Sequence, residues 1–376
     1  MLEDTRPYYV GFNFVRGIGA TRLKLLINYY GDIARAWNAS PASLLETGLS
    51  EKIIQNLIKT RTQLNLDEVM KRIKNAEITV ITWDDINQNS EINYPKNLRG
   101  IEQPPPVIYS KGEMIDSDEW AVAVVGTRNV TTYGRQVTDE ISRILVRNGV
   151  TIISGLAKGI DAIAHQVAID EGGRTIAVLG SGVDRIYPPE NSRIAEKIIK
   201  QGAVISDYAP GTPPEAVNFP PRNRIISALA KAVIVIEADE TSGALITAAF
   251  AVEQGKELFA VPGNIHSRQS RGANRLIQNG ARLLMDGNEV LELLNFRQIN
   301  NHKSARAVLP ENPTEILLFS LLDNQPKHID QIGQITKLPM DELTATLTLM
   351  ELKGMVKQVG GMQFVIIRDH QGEYEI

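Results

Sequence analysis

The chain has 376 residues, no cysteine, and 40 Lys and Arg against 44 Asp and Glu, a formal net charge of −4. That length points to two or three domains with a core that needs no covalent staples, and the absence of cysteine excludes a disulfide scaffold, a Cys-ligated zinc site, an iron–sulfur cluster and a thiol nucleophile. The overall charge argues against a histone-like sheath on nucleic acid, so any nucleic-acid site must be a local patch.

The polar, acidic start lacks the basic and apolar segments of a signal peptide, and no apolar run approaches the ~18–20 residues needed to cross a bilayer. A soluble, cytoplasmic protein with no membrane partner is expected. Residues 1–72 read as a small helical domain. Leu23, Leu26, Ile27 and Tyr30 recur at helical spacing after Gly17-Ile18-Gly19, and Ile53, Ile54, Leu57 and Ile58 follow Gly48-Leu49-Ser50. Two Gly-containing turns, each opening a helix, resemble SAM-like or helix-hairpin-helix units, where hairpin amides meet a phosphate. The alternative is a plain helical bundle with glycine at helix boundaries. A SAM-like or helix-hairpin-helix-like domain is expected at 1–72, but contact with DNA is not, because the Gly-Ile-Gly signal is short and 8 basic against 7 acidic residues in 1–70 do not favour it.

An extended Rossmann-like domain is placed at 73–296. Its lead-in carries the β-branched run 78–82, the Pro104-Pro105-Pro106 run, which cannot be helix interior, and a strand at 107–109. Strand-like runs follow at 121–125, 151–154, 175–179, 203–206, 232–237, 258–261 and 281–284. Between them lie amphipathic helices such as 134–147 and 244–253. Short, nearly all-apolar strands separated by helices predict an α/β fold with a mostly parallel sheet covered on both faces. Several strands end in Gly126, Ser154-Gly155, Gly180 or Gly263, at the sheet edge where open α/β folds bind ligands. A polar linker is expected at 297–312. Residues 313–376 then read as a winged helix, with helices at 314–322, 328–335 and 340–353 and a β-ribbon, 355–359 and 362–367, around Gly360-Gly361. Leu343, Leu347, Met350 and Leu352 read as its core. With 4 basic and 6 acidic residues in 313–367, this module is a poor partner for phosphate, and contact with protein is expected rather than duplex readout.

Four motifs carry the site reading. Gly126-Thr127-Arg128 precedes a helix, where free amides and a bidentate guanidinium suit an anion. Its spacing matches neither the dinucleotide Gly-x-Gly-x-x-Gly nor the Walker pattern. Ser154-Gly155-Leu156-Ala157-Lys158-Gly159-Ile160-Asp161 repeats the design, with His165 four residues beyond Asp161. An acid–base pair is one reading. The preferred one has Asp161 capping the helix and His165 packing near it, because no nucleophile is placed for the imidazole and no metal spacing exists. Phe219-Pro220-Pro221-Arg222-Asn223-Arg224 lies in an acid-free stretch between Glu215 and Glu237. A second such stretch, 258–285, holds Asn264, Arg268, Arg271, Arg275 and Arg282. Residues 121–295 balance 18 basic and 18 acidic residues, yet the arginines are segregated. With Phe219, Tyr133 and His266 as stacking faces, that pattern suits a single nucleic-acid strand. Finally, Ser242-Gly243-Ala244 either cradles a phosphate or permits close helix–sheet packing.

These motifs, with Val261-Pro262-Gly263-Asn264, match in order and spacing those of the DNA-processing protein A family (DprA, also called Smf), which the chain resembles over essentially its whole length. The resemblance implies an extended Rossmann-like domain that binds single-stranded DNA, dimerises, and passes incoming DNA to the recombinase RecA during natural transformation, with no catalytic activity and no cofactor. It implies that Arg128, Arg222 and Arg224 contact phosphates, that Lys158 and the turn from Gly155 to Gly159 flank the pocket, and that Asn223 and Phe219 touch sugar or base. Gly126, Ser242, Gly243 and Asn264 complete the implied DNA-binding set. Where many relatives carry a DNA-binding Lys after the Tyr-Pro pair, this chain has Pro189, with Arg185 as a substitute. The alternative function is a nucleoside-monophosphate phosphoribohydrolase on a similar fold. Such enzymes carry a Pro-Gly-Gly-x-Gly-Thr loop where this chain has Glu237 to Gly243 without it.

Overall fold

The computed structural model describes residues 4–85, 93–294, 312–322, 326–352, 356–359 and 361–366. They fall into two compact units, residues 1–294 and 295–376. The expected linker lies outside the described residues except for Asn312.

The first unit opens with six helices, α1 (Arg6–Asn13), α2 (Ala20–Tyr30), α3 (Ile33–Asn38), α4 (Pro41–Glu46), α5 (Glu51–Gln63) and α6 (Leu66–Asn75). The two predicted apolar helices are α2 and α5, which bury Leu23 and Leu26, and Ile54 and Leu57. Gly17 turns the chain into α2 with φ +96°, a conformation that strongly favours glycine. The helices close over β1 (Thr79–Thr82) and β2 (Val107–Gly112), sharing a core in which Tyr9, Phe12 and Trp37 pack with Val80, Val107 and Tyr109. A short helix, α7 (Lys96–Arg99), precedes β2.

The sheet then continues through β3 (Ala121–Val125), β4 (Thr151–Ser154), β5 (Thr175–Val178), β6 (Ala203–Ser206), β7 (Ala232–Val235), β8 (Glu257–Ala260) and β9 (Arg282–Leu283). Its nine strands run in the order β1-β2-β6-β5-β4-β3-β7-β8-β9. β1, β2 and β6 pair antiparallel, and β6 to β9 are parallel throughout. Burial explains why this part was readable: β3, β4, β5, β6 and β7 are buried at every residue, so neither face needs polar alternation. Crossover helices are α8 (Thr132–Arg147), α9 (Ile160–Asp170), α10 (Ser192–Gln201), α11 (Phe219–Leu229), α12 (Ala244–Glu253) and α13 (Arg268–Gln278), followed by α14 (Gly287–Leu293). Ile225, Ile226 and Leu229 of α11 and Ala244, Ala248 and Ala251 of α12 share one core with Ala123, Val125, Val233 and Val235 of the sheet. The chain builds β3 to β6 toward one edge, then returns to place β7 on the other side of β3. That reversal is the switch point at which open α/β sheets present a ligand crevice.

The second unit is a winged helix of α15 (Pro313–Leu321), β10 (Lys327–His328), α16 (Ile329–Thr336), α17 (Met340–Leu352), β11 (Val356–Gln358) and β12 (Gln363–Ile366). Leu343, Leu347 and Met350 are fully buried with Leu318, Ile332 and Phe364. The sequence did not predict β10, which adds a third strand by pairing with β12.

Candidate nucleic-acid interface

A cleft of about 690 Å³ opens at the switch point. It is lined by the loops after β3 (Gly126, Thr127, Arg128, Asn129) and β7 (Asp239, Thr241, Ser242, Gly243), with Ala157 and Asp161 from the β4–α9 segment and Phe219, Arg222 and Asn223 from α11. The sequence motifs therefore converge, although they are separated by more than a hundred residues. Two glycines make the convergence possible. Gly159 has φ +83°, and a Cβ there would strike the carbonyls of Thr127 and Arg128. Gly155 leaves room for its neighbours: a Cβ would lie 2.8 Å from Arg222 Nη2 and 2.9 Å from Asp161 Oδ2.

The loops were expected to hold out free amides to an anion, but the chain fills much of that capacity with its own carboxylates. Glu237, buried at the end of β7, accepts from Thr131 N at 3.0 Å and from Thr131 Oγ1 at 2.5 Å. It thereby occupies the start of α8. The expected cap of α9 by Asp161 is not formed. Asp161 Oδ2 accepts from the amides of Gly155 at 3.1 Å and Ala157 at 3.3 Å, so it shapes the preceding loop. Burial pushes the Asp161 carboxyl up, against the opposing pull of Arg222 and those two amides. His165 is fully buried, and its Nδ1 lies 2.6 Å from Thr175 Oγ1. Because the Thr175 hydroxyl donates to Ile152 O at 2.8 Å, the imidazole donates through Nδ1. Burial, reinforced by Arg222, pushes His165 down to about 3. The imidazole is a neutral core group, as the preferred reading had it.

The arginines separate into distinct kinds. Arg128 is exposed at the cleft, and no hydrogen bond or ion pair holds its guanidinium among the described residues. Arg222 is only 5% exposed. Its Nη1 donates to Gly155 O at 3.0 Å and to Val178 O, and its Nε to Asn223 Oδ1 at 3.2 Å. Burial, with Arg128 nearby, pushes it down to about 10 despite the opposing pull of Asp161. It braces the cleft floor. Arg224 points away from the cleft into a second hollow beside α1 and α2, where its Nη2 donates to Asp207 Oδ2 at 2.7 Å.

Other expected residues divide similarly. Asn223 Nδ2 donates to Gly243 O at 3.3 Å, tying α11 to the loop before α12. A Cβ on Gly243 would meet nothing within 4 Å, so close helix–sheet packing is not its role. Ser242 Oγ accepts from Ala244 N at 3.3 Å. Lys158 stands outside the cleft lining, paired with Glu190. Asn264 lies exposed in the loop after β8, where its Oδ1 accepts from His266 N. The sequence reading did not assign Tyr187 a role. Its ring is 40% exposed, lines the cleft and lies 5.7 Å from the ring of Phe219, whose face also meets the Arg222 guanidinium at 5.7 Å. The Tyr-Pro pair was the available signal.

Comparison with known proteins matches two segments of the chain. Residues 86–295 match the family model described as DNA recombination-mediator protein A, and residues 302–362 match the DprA winged helix domain. The chain belongs to the DprA/Smf family. Protein Smf of a Synechocystis species is 33% identical, covering 97% of this chain and 99% of its own. DNA processing protein DprA of Bacillus subtilis is 37% identical over 70% of this chain and 90% of its own. Among solved structures, DNA processing protein A of Streptococcus pneumoniae has a TM-score of 0.66 at 31% identity, covering 77% of this chain and 98% of that one. The Helicobacter pylori protein has a TM-score of 0.52 at 30% identity, covering 58% and 95%. Its structure is described by its single-stranded DNA binding mode. Among the described residues, no helix is long and apolar enough to cross a membrane, and no cluster of His, Asp and Glu is arranged to hold a metal ion.

Proposed function

We propose that this DprA/Smf protein is a non-enzymatic mediator that binds single-stranded DNA in the switch-point cleft without reading sequence. The observation that carries this is the pairing, in one open cleft, of an unpartnered arginine, Arg128, with the tilted aromatic pair Tyr187 and Phe219. A guanidinium takes a backbone phosphate bidentately. Exposed rings stack on unpaired bases of any identity, whereas a duplex keeps its base faces covered. The single-stranded DNA binding of the H. pylori relative supports the same reading. In this proposal Arg128, Gly126, Ser242 and Gly243 face the strand directly. Lys158 and Asn264 stand at its margin, and Arg222 and Asn223 act by shaping the floor. Arg224 would reach DNA only after leaving Asp207.

We further infer from the family that the protein works as a homodimer and delivers the strand to RecA. The acidic winged helix serves protein contact in this scheme, and a chemical-shift titration with duplex DNA that moved α17 at physiological salt would contradict that role. The hydrolase alternative needs a carboxylate free to act on a nucleotide. Both oxygens of Glu237 are engaged by Thr131, Asp161 Oδ2 is engaged by two loop amides, and Asp239 Oδ1 accepts from Thr241 N and Oγ1. Fluorescence anisotropy with labelled single strands of unrelated sequence and with duplex tests the proposal. Comparable binding to all the single strands and weaker binding to duplex is expected. Release of free base from nucleoside monophosphates would replace it with the hydrolase reading.

A further inference from the structure

Building on the reading of the cleft as a strand site, we propose that Glu190 sets the affinity of that site by occupying Lys158 as an internal competitor for DNA phosphate. Lys158 Nζ lies 2.5 Å from Glu190 Oε1, with the two side chains 57% and 60% exposed. The pair is held in register from beneath. Asn191, next to Glu190 and only 7% exposed, donates from Nδ2 to Leu156 O at 2.8 Å and to Ala157 O at 3.2 Å. The turn carrying Glu190 is thus fastened to the loop carrying Lys158. That fastening holds the two backbones at a fixed separation, so the exposed side chains start within reach of each other.

The position of the pair gives it a consequence. Ala157, beside Lys158, and Tyr187, three residues before Glu190, both line the cleft, so the pair stands at the rim where a bound strand would leave the aromatic rings. The Lys158 hydrogen bond holds the Glu190 carboxyl below its ordinary range. A phosphate reaching Lys158 must displace that carboxylate, which is then left beside the phosphate with like charge. Looser pairs involve the acids of the loop after β7, with Arg268 at 3.7 Å from Asp239, which lines the cleft, and Arg275 at 3.8 Å from Glu240. Arg128 has no such competitor. Among the described residues that line the cleft, Arg128 is therefore open to the first phosphate, whereas Lys158 at the rim is released only in exchange for a carboxylate.

The test uses the full-length chain, a labelled oligothymidylate, and Glu190→Gln, Lys158→Ala and the double variant, with thermal melts to show that each is folded. Relieving competition from an exposed pair should tighten binding about two- to fivefold in Glu190→Gln. The gain should shrink as salt rises from about 50 mM to about 300 mM and screening shortens to a few ångströms. On the Lys158→Ala background the same substitution should give no gain. An unchanged affinity in Glu190→Gln overturns the inference while leaving the strand site standing. An equal gain on both backgrounds also overturns it, because that reports long-range charge rather than release of Lys158. If the wild-type chain does not bind the oligonucleotide, the strand site falls and the role of Glu190 falls with it.

Discussion

Replacing Arg222 with methionine separates an arginine that builds the cleft from one that faces a ligand. Methionine keeps much of the alkyl volume but removes the cation from a site that is 5% exposed. The carbonyls of Gly155 and Val178 lose their donor, and the Asp161 carboxylate loses its neighbouring positive charge. A hydrogen bond from a charged group contributes about 1.5–3 kcal/mol, and removing one member of a buried charge pair costs about 3–5 kcal/mol. These terms describe overlapping contacts, so the expected destabilisation is about 3–5 kcal/mol rather than their sum. Urea unfolding followed by circular dichroism measures it, reading the transition of the first unit and requiring an unchanged slope. Arg128→Ala provides the contrast: an exposed side chain without partners should change stability by no more than about 0.5 kcal/mol while weakening DNA binding. A folded Arg222→Met protein within about 1 kcal/mol of wild type would refute the assignment of Arg222 to the cleft floor, since that is well below the cost of orphaning a buried charge.

Other expectations follow from the same geometry. His165 is neutral in the fold at about 3 but protonates near its ordinary value of 6.5 when unfolded. Stability should therefore fall as pH drops through that window, by about 1.4 kcal/mol per pH unit from this group. His165→Asn, which keeps a donor toward Thr175, should flatten the slope of stability against pH by about one proton, and an unchanged slope would contradict a neutral buried imidazole. Tyr187→Ala should cost about 1–3 kcal/mol of single-strand affinity by anisotropy, the worth of one base stack, with little change in melting temperature. Gly159→Ala should destabilise the first unit because its Cβ meets the carbonyls of Thr127 and Arg128 at a positive φ. A melting temperature equal to wild type would show that those loops can separate freely.

The sheet was largely legible because its parallel strands are buried on both faces and read as short apolar runs. β9 was the weakest strand, only two residues long and exposed, and it fell within a longer predicted run. Four of the six N-terminal helices were missed because they are short or carry no repeated apolar pattern strong enough to stand out. At the site, the motifs located the loops, but the sequence did not reveal which cations are free. An acid-free stretch of sequence is not an acid-free surface. Asp239 and Glu240 lie near Arg268 and Arg275, Glu257 pairs with Arg282, and Asp207 pairs with Arg224. Each carboxylate comes from outside the stretch that holds its arginine. Asp161 was assigned to its own helix because local capping is the commoner use of an acid there. The loop from Gly155 to Gly159, with Leu156 and Gly159 at positive φ, instead folds the amides of Gly155 and Ala157 onto it.

The most direct test of the strand-binding cleft is a salt series of single-strand affinity for the wild type and Arg128→Ala, with duplex in parallel. The account predicts preference for the single strand. It also predicts a log–log slope steeper by about 0.7 in the wild type than in Arg128→Ala, the change expected for one phosphate contact. Tighter binding to duplex, or the same affinity and slope in both proteins, would contradict it.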